Sequence, residues 1–442
     1  MAIAVKESEN LYLKNFREFE KQQSAAPAWL KELRTEGIRT FADLGFPTTR
    51  IEDWKYTNIT PITSVQFEPA SYEYNSEVAR KFENSAFQNL GCSRLVFVNG
   101  HFSRELSWIE DLPKGVKVLS LSQALTNGAG ALENHLGRYA GFKNHAFVAL
   151  NTAFLEDGGY IEIPKGVVLE KPIHLVYLAS GNANRWVSHP RNLILAGRES
   201  QASIVESYLG LDGGVYLTNA VTELATEENA RVEYVKIQRE SAAAFHVATV
   251  LSHIARNASV VTNSIQFGAR LGREEATTVL DGEGAESYLY GLYVTNGQQL
   301  IDNHTTIDHA KPHCASREFY KGVLDGKSTG VFNGKILVRK DAQKTDSKQS
   351  DKNLLLSEFA TINTKPQLEI FADDVKCTHG ATIGQIDPDA IFYLRSRGIA
   401  LQDARQLLTA AFANDIIDRV KFQPLRERLK AILTAKMAGN EQ

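Results

Sequence analysis

The chain has 442 residues, about three times a typical 150-residue domain, and its 49 Lys and Arg against 52 Asp and Glu give a net charge of −3. That balance argues against a general nucleic-acid binder, which needs a basic surface, and 43% hydrophobic residues exclude global disorder. Three cysteines, Cys92, Cys314 and Cys377, are too few for a disulfide framework and suit a reducing compartment. Because the chain has no apolar run of about 18 residues and no apolar signal core at its start, we expect a cytoplasmic protein with no membrane partner.

The first 92 residues are predicted to form a helical region. Apolar positions recur at helical spacing from residue 8 to about residue 23, and a second short helix is expected over residues 28–33, after Pro27. In residues 47–57, Trp54 and Tyr56 alternate with charged side chains. We interpret this segment as a loop that its aromatic side chains pin to the body of the protein.

Residues 93–386 are predicted to form a β-helix core. Short β-branched and aromatic runs are separated by Gly, Asn and Asp from Ser93 to Ile370, which is typical of all-β structure. Four strand starts follow a small turn centred on an alanine, and these alanines are 28, 28 and 27 residues apart: Ala202, Ala230, Ala258 and Ala285. A fixed period with two strands per repeat predicts a β-solenoid, and a sandwich of evenly spaced hairpins is the alternative.

Residues 387–442 are predicted to be helical again. Asp387 and Pro388 provide an N-cap and a first helical residue, and Gly398 suits the end of that helix. Further helices are expected over residues 401–420 and 424–437, each with an apolar stripe. Helical regions at both ends would cover the exposed edges of a solenoid.

Cys377 and His379 are the most suggestive candidate ligands. If they lie in a strand, their side chains point to the same face, since side chains alternate with a period of two. A thiolate beside an imidazole suits zinc or iron, but two ligands do not fill a site, so the others would come from another segment or another chain. The alternative is a small buried thiol beside a hydrogen-bonded histidine.

A second cluster holds five candidate ligands in eleven positions. Its spacing matches neither HExxH nor paired CxxC motifs, so it does not indicate a structural zinc site. A site role and a polar solenoid face with satisfied histidines both remain open for this group. The cluster comprises His304, Asp308, His309, His313 and Cys314.

Two catalytic motifs can be set aside. Residues 322–328 (GVLDGKS) resemble a phosphate-binding loop, but only three residues separate the glycines where that loop has four, and no helix is expected to follow. No GxSxG motif is present, which argues against an α/β-hydrolase. We therefore expect no nucleotide to bind this chain.

The strongest resemblance lies in the C-terminal half. Residues 368–384 (LEIFADDVKCTHGATIG) and 392–398 (FYLRSRG) resemble the SufB/SufD family of iron–sulfur cluster assembly proteins, and residues 344–349 (KTDSKQ) and 320–322 (YKG) fit the same family. Residues 50–57 (RIEDWKYT) resemble the SufD branch in particular.

This resemblance implies a fold, partners and a site. The family fold is a right-handed parallel β-helix between helical terminal regions. A SufD-like subunit pairs with SufB, and each binds a copy of the ATPase SufC through its C-terminal helices. The family's nascent iron–sulfur cluster is thought to form transiently at the SufB–SufD interface, where His379 matches a family histidine and Cys377 a nearby cysteine. The resemblance thus implies a non-catalytic scaffold subunit, and a second copy of this chain is an alternative partner.

The competing function is a solenoid enzyme that acts on carbohydrate or acyl groups. Such an enzyme would need a groove with paired carboxylates, or a catalytic histidine beside a cofactor site. Cleavage of a polysaccharide by the isolated chain would favour the enzyme, whereas co-purification with an ATPase would favour the scaffold.

Overall fold

The fold is a two-sheet parallel β-solenoid between helical regions, seen in a computed structural model that describes residues 2–85, 87–128, 130–181 and 185–439. A 3₁₀ turn spans Glu52–Trp54. The α-helices are α1 Ala2–Gln22, α2 Ala28–Leu44, α3 Thr60–Thr63, α4 Ser76–Glu83, α5 Leu121–Thr126, α6 Ala131–His135, α7 Ala146–Ala153, α8 Pro388–Ser396, α9 Leu401–Ile417 and α10 Gln423–Met437.

The strands are mostly about ten residues long from the middle of the chain onward. They are β1 Glu68–Pro69, β2 Arg94–Val98, β3 His101–Trp108, β4 Lys117–Ser120, β5 Gly159–Ile163, β6 Ile173–Ala179, β7 Trp186–Ser188, β8 Arg191–Ala196, β9 Gln201–Gly210, β10 Tyr216–Thr226, β11 Arg231–Arg239, β12 Phe245–Ile254, β13 Ser259–Gln266, β14 Leu271–Leu280, β15 Glu286–Thr295, β16 Leu300–His309, β17 Ala315–Leu324, β18 Thr329–Val338, β19 Asp346–Leu355, β20 Thr361–Ile370 and β21 Lys376–Gly384.

Successive strands alternate between two sheets, which we call sheet A and sheet B. Sheet A runs in the order β20-β18-β16-β14-β12-β10-β8-β5-β4, and sheet B in the order β21-β19-β17-β15-β13-β11-β9-β6-β2-β3. Pairing along both sheets is parallel except where β3 meets β2 and β4 meets β5, at the N-terminal end. The predicted parallel β-helix with helical regions at both ends is thus confirmed.

The repeat turns explain the regular alanine spacing. Asn229, Asn257 and Gly284 have positive φ angles of 61°, 53° and 71°, a backbone region that Asn and Gly adopt more readily than other residues. The alanine that follows each of them is completely buried, where a larger side chain would not fit between the coils. In the next two coils the positive-φ position is held by His313 and Lys344.

The N-terminal helices cover the outer face of sheet A. Tyr12, Phe41 and Phe147 form one apolar cluster with Val221 of β10 and Phe245 of β12. This packing buries apolar surface on both faces of the sheet, and each fully buried large side chain contributes about 2 kcal/mol. The sheet is therefore sandwiched between the solenoid interior and the helices.

The C-terminal helices cover the outer face of sheet B. Ile416 of α9 and Leu429 of α10 are completely buried in a cluster with Val235, Ile265 and Leu292 of the sheet. α8 differs from them, because none of its residues is buried. The apolar stripe of α10 is thus already used within the chain.

One part of the predicted β region is helical. The sequence led us to expect strands throughout from Ser93 to Ile370, but α5, α6 and α7 lie between β4 and β5. α7 is buried over most of its length, and it packs against α2. Tertiary burial stabilises this apolar helix, and a buried helix of eight residues is hard to tell from a buried strand by periodicity.

Candidate functional site: the open end of the solenoid

The two ends of the solenoid differ in their last strands, which are antiparallel at the N-terminal end and parallel at the C-terminal end. β20 and β21 are the last strands of their sheets, and each pairs along one side only. Apolar side chains are exposed on this end: Phe371 is 62% accessible and Ile383 is 51% accessible. We call the coil formed by β20, β21 and the segment between them the open end.

The backbone of the open end has free hydrogen-bonding groups. The N–H of Thr361 donates to the Ser328 carbonyl and that of Phe371 to the Val338 carbonyl. Because N–H groups alternate in direction along a strand, the even-numbered residues of β20 point theirs away from the sheet. Pro366 occupies one of these outward positions, where its missing N–H costs no ladder bond.

Cys377 and His379 lie on β21 and share a face, as their spacing predicted. Cys377 is paired in register with Ser347, and His379 with Gln349. Both Ser347 and Gln349 are buried inside the solenoid. The two candidate ligands therefore belong to columns of inward-pointing side chains on successive strands, and they are the last members of those columns, at the open end.

The surroundings of the two candidates differ. Cys377 is half-buried against the interior core, and burial raises the pKa of its thiol, although the backbone N–H of Ser347 opposes that shift. His379 is exposed. No group of three or more His, Cys, Asp and Glu side chains that could hold a metal occurs among the described residues, so the arrangement supplies two donors and leaves room for ligands from outside.

The second predicted cluster is dispersed. His304 lies on the outer side of sheet A, 3.0 Å from Asp302, whereas the His309 imidazole is inside the solenoid, 2.9 Å from the Ser316 hydroxyl, where burial lowers its pKa to about 4. Asp308 forms an ion pair with Arg339.

His313 and Cys314 occupy the repeat turn. Cys314 is buried at the position that alanine holds in the preceding coils, and its thiol lies 3.2 Å from the Gly282 carbonyl. The five residues therefore do not form one site, and His304 and His309 each have a polar partner. The phosphate-loop-like residues 322–328 span the end of β17 and the turn that leads to β18, and a strand follows them, as expected.

Trp54 attaches its loop to the body of the protein as the sequence predicted, whereas Tyr56 is exposed. Trp54 is buried and stacks on Phe147 with 5.6 Å between ring centroids, and the Arg273 guanidinium lies 3.7 Å from its ring centroid. Arg273 also donates to the Asp53 carbonyl at 2.9 Å, and Thr57 donates to the Asp302 carboxylate. These contacts attach the loop to the outer face of sheet A.

A cleft of about 510 Å³ lies between this loop and sheet A. Three of its carboxylates are engaged: Glu275 pairs with Arg273, Glu369 pairs with Lys335, and Glu52 pairs with Lys365 outside the cleft. Glu275 is held ionised because Arg273 and His145 lower its pKa against the effect of burial. Asp53 is a fourth carboxylate in the lining, and no ion pair with a basic side chain is found for it among the described residues.

A set of polar residues lies inside the last coils, where no pattern in the sequence marked it. Glu318, Gln349 and His379 form one column, since each is in register with the next. Asp351 lies in the neighbouring column, in register with Tyr320. Leu289 and Tyr320, which belong to the interior core, identify this face as the inner one.

Comparison with known proteins places the chain in a family. The family model described as "SUF system FeS cluster assembly, SufBD core domain" matches residues 178–412, and the model described as "SufBD protein N-terminal region" matches residues 6–175. The first match alone spans more than half of the chain. The chain therefore belongs to the SufBD family of iron–sulfur cluster assembly proteins, and the resemblance noted in the sequence is confirmed.

Among individual relatives, the chain is similar to proteins named SufD. The chain is 35% identical over 404 residues to an iron–sulfur cluster assembly SufBD family protein of Synechocystis, covering 89% of this chain and 88% of the relative. It is 30% identical to iron–sulfur cluster assembly protein SufD of Escherichia coli, covering 89% and 90%. It is 27% identical to SufD of Bacillus subtilis, covering 96% and 97%. None of the helices in the described part of the chain is long and apolar enough to cross a membrane.

Proposed function

We propose that this chain is a SufD-like scaffold subunit that forms an iron–sulfur cluster assembly interface with a SufB-like partner. One observation carries the proposal: in a chain of the SufBD family, a cysteine and a histidine, Cys377 and His379, share one face of an edge strand at the open end of the solenoid. The nascent cluster is the cargo of this interface, and the partner supplies the remaining ligands. The chain itself acts as a non-catalytic subunit and binds no nucleotide.

The histidine is the first residue to test. Replacing His379 with alanine removes an exposed side chain, so folding and partner binding should be kept while iron and sulfide per complex fall. Neutral imidazole is a common ligand of iron. The complex should be assembled anaerobically with its SufB-like and SufC-like partners, and iron and melting temperature should be measured on one preparation.

The matched control for His379→Ala is Thr378→Ala. Thr378 is exposed on the opposite face of the same strand, so its loss should leave iron content unchanged. Full iron loading in a normally assembled His379→Ala complex would refute the ligand role. A lower melting temperature with normal iron per folded complex would instead identify a structural histidine.

The open end is the proposed docking surface for the partner. An unpaired strand edge with exposed apolar side chains can add a strand from another chain. Ile370 is at an even-numbered position of β20, so proline there removes an outward N–H and no bond within the sheet. Ile370→Pro should therefore weaken subunit association and leave the fold intact.

The control for Ile370→Pro is Ile370→Ala, which shortens the same side chain but keeps the donor. The dissociation constant of the pair should rise much more for proline than for alanine. If both variants associate as tightly as the unmodified chain, the docking surface lies elsewhere. If the two weaken association equally, side-chain packing and not strand addition holds the interface.

The ATPase is proposed to dock on α8 and α9. The resemblance assigns SufC to the C-terminal helices, and α10 packs its apolar face on sheet B. Exposed apolar side chains remain on the other two helices, where Phe392 is 75% accessible and Leu407 is 53% accessible. Phe392→Ser with Leu407→Ser should abolish capture of the SufC-like ATPase and preserve the β-rich circular dichroism spectrum. Undiminished capture would contradict this assignment.

A further inference from the structure

The protein contains several buried carboxyl groups, and most have evident partners. Glu223 pairs with Arg191 at 2.8 Å on the outer face of sheet A, and Glu274 pairs with Lys236 at 2.8 Å inside the solenoid. Glu206, also inside, has no ion pair with a basic side chain among the described residues, but it accepts hydrogen bonds from Asn192, Tyr208, Thr222 and Tyr234. Burying a carboxylate is expensive unless such partners are present.

Glu318 and Asp351 are the exceptions. Glu318 accepts from the Gln349 amide at 2.7 Å, and Asp351 accepts from the Asn353 amide at 2.6 Å. The second oxygen of each carboxyl is buried and has no hydrogen-bond partner. No ion pair with a basic side chain was found for either carboxyl within the described part of the chain, and each carboxyl has an exposed fraction of 2% or less.

The unsatisfied atoms around this pair are mainly oxygens. The amide oxygen of Gln349 is also buried without a partner. The Thr305 hydroxyl lies beside Glu318 and the Thr364 hydroxyl beside Asp351, and hydrogen bonding from each hydroxyl lowers the pKa of the neighbouring carboxyl. Carboxylate, amide and hydroxyl oxygens are the ligands that hard cations prefer.

Burial raises the pKa of Glu318 to about 7 and that of Asp351 to about 6, because the charged form of a carboxyl is disfavoured away from water. The neighbouring interior groups are Tyr293, Tyr320 and Glu274, none of which carries a positive charge, and Glu274 is already paired with Lys236.

We propose that Glu318, Gln349 and Asp351 form a binding site for one hard divalent cation inside the solenoid. Thr305 and Thr364 contribute hydroxyl oxygens from sheet A. The site is distinct from Cys377 and His379, which would bind a softer metal. It lies one coil below the open end, because Gln349 and Asp351 are in register with the exposed His379 and Ala381. A cation would therefore enter from the open end, and a docked partner would trap it.

The test uses the full chain, freed of metal by a chelator and titrated with Mn²⁺ at pH 7.5. Free Mn²⁺ measured by electron paramagnetic resonance should show one site per chain. Asp351→Asn and Glu318→Gln each remove one charged ligand and should weaken binding by about tenfold or more. Both changes keep the side-chain volume and remove a buried charge, so the variants should fold.

The matched control is Asp346→Asn. Asp346 is on the same strand as Asp351, but its carboxylate is at the surface beside Arg317, so its loss should leave Mn²⁺ binding unchanged. Mn²⁺ should also raise the melting temperature of the unmodified chain and not that of Asp351→Asn, since a ligand stabilises only the state that binds it. Absence of a site in the unmodified chain, or equal binding by Asp351→Asn, would overturn the proposal.

Discussion

The N-terminal end of the solenoid, which we call the closed end, finishes in antiparallel strands, whereas the open end finishes in parallel ones. At the closed end β3 and β4 terminate the sheets, and apolar residues such as Phe97, Ile161 and Leu175 fill the interior. Near the open end the interior also holds Glu318, Gln349 and Asp351. The two ends therefore differ in the direction of their last strands and in the polarity of the interior behind them.

The largest effect on stability is expected at the buried ion pair beside the closed end. Arg191 and Glu223 are both fully buried, and Glu223 also accepts from three backbone N–H groups of residues 137–140. Arg191→Met should lower the free energy of unfolding by about 4 kcal/mol, because it leaves an uncompensated charge. Arg198→Met removes an exposed pair with Glu228 and is the control. Equal unfolding midpoints in urea for the two variants would contradict this view.

A smaller loss is expected where the N-terminal loop is attached. Trp54→Ala removes the ring that packs between Phe147 and Arg273 and should cost about 3 kcal/mol. Tyr56→Ala changes an exposed aromatic side chain in the same loop and should cost far less. Thermal unfolding of both variants tests the comparison, and similar melting temperatures would show that the loop does not depend on Trp54.

The solenoid interior around Glu318 should respond to pH in metal-free protein. The pKa of Glu318 is raised from 4.5 to about 7, so the folded state binds more protons than the unfolded state between these values. Its contribution to stability is therefore present below pH 4.5 and is lost as the pH rises through 7. Glu318→Gln should flatten the decline in stability between pH 5 and pH 7.5, as measured by urea unfolding at each pH. An unchanged slope would show that Glu318 does not titrate in this range.

The smallest effect on stability is expected at the exposed aromatic side chains. Phe371→Ser at the open end and Trp108→Ser at the closed end, where Trp108 is 50% accessible, should each change stability by about 0.5 kcal/mol or less. Only Phe371→Ser should weaken association with the SufB-like partner. Equal weakening by Trp108→Ser, measured by analytical ultracentrifugation, would remove the functional distinction between the two ends.

The solenoid could be predicted from the sequence because its turns repeat. Asn229 and Asn257 each precede a buried alanine, and the requirements of the turn impose that pattern directly on the sequence. The shared face of Cys377 and His379 could be predicted for a similar reason, since it depends only on the period of a strand.

The interior polar site could not be predicted from the sequence. β19 reads DSKQSDKNLL, so both of its faces carry polar residues and the sequence does not show which face points inward. Only the register with Leu289 and Tyr320 shows that Gln349 and Asp351 point inward. The position of His313 and Cys314 in a repeat turn could not be predicted either, because their side chains suggest metal binding and give no sign of a turn.

The packing of α9 and α10 on sheet B has a consequence for synthesis on the ribosome. The N-terminal helices emerge before the strands that they cover, so sheet A can be shielded as it forms. The outer face of sheet B, with Val235, Ile265 and Leu292, is covered by residues near Ile416 and Leu429, which leave the ribosome more than a hundred residues later. During that interval a growing chain displays an apolar surface that the finished protein hides. A chain released from the ribosome before α10 is made would keep this apolar surface exposed and would be prone to aggregate.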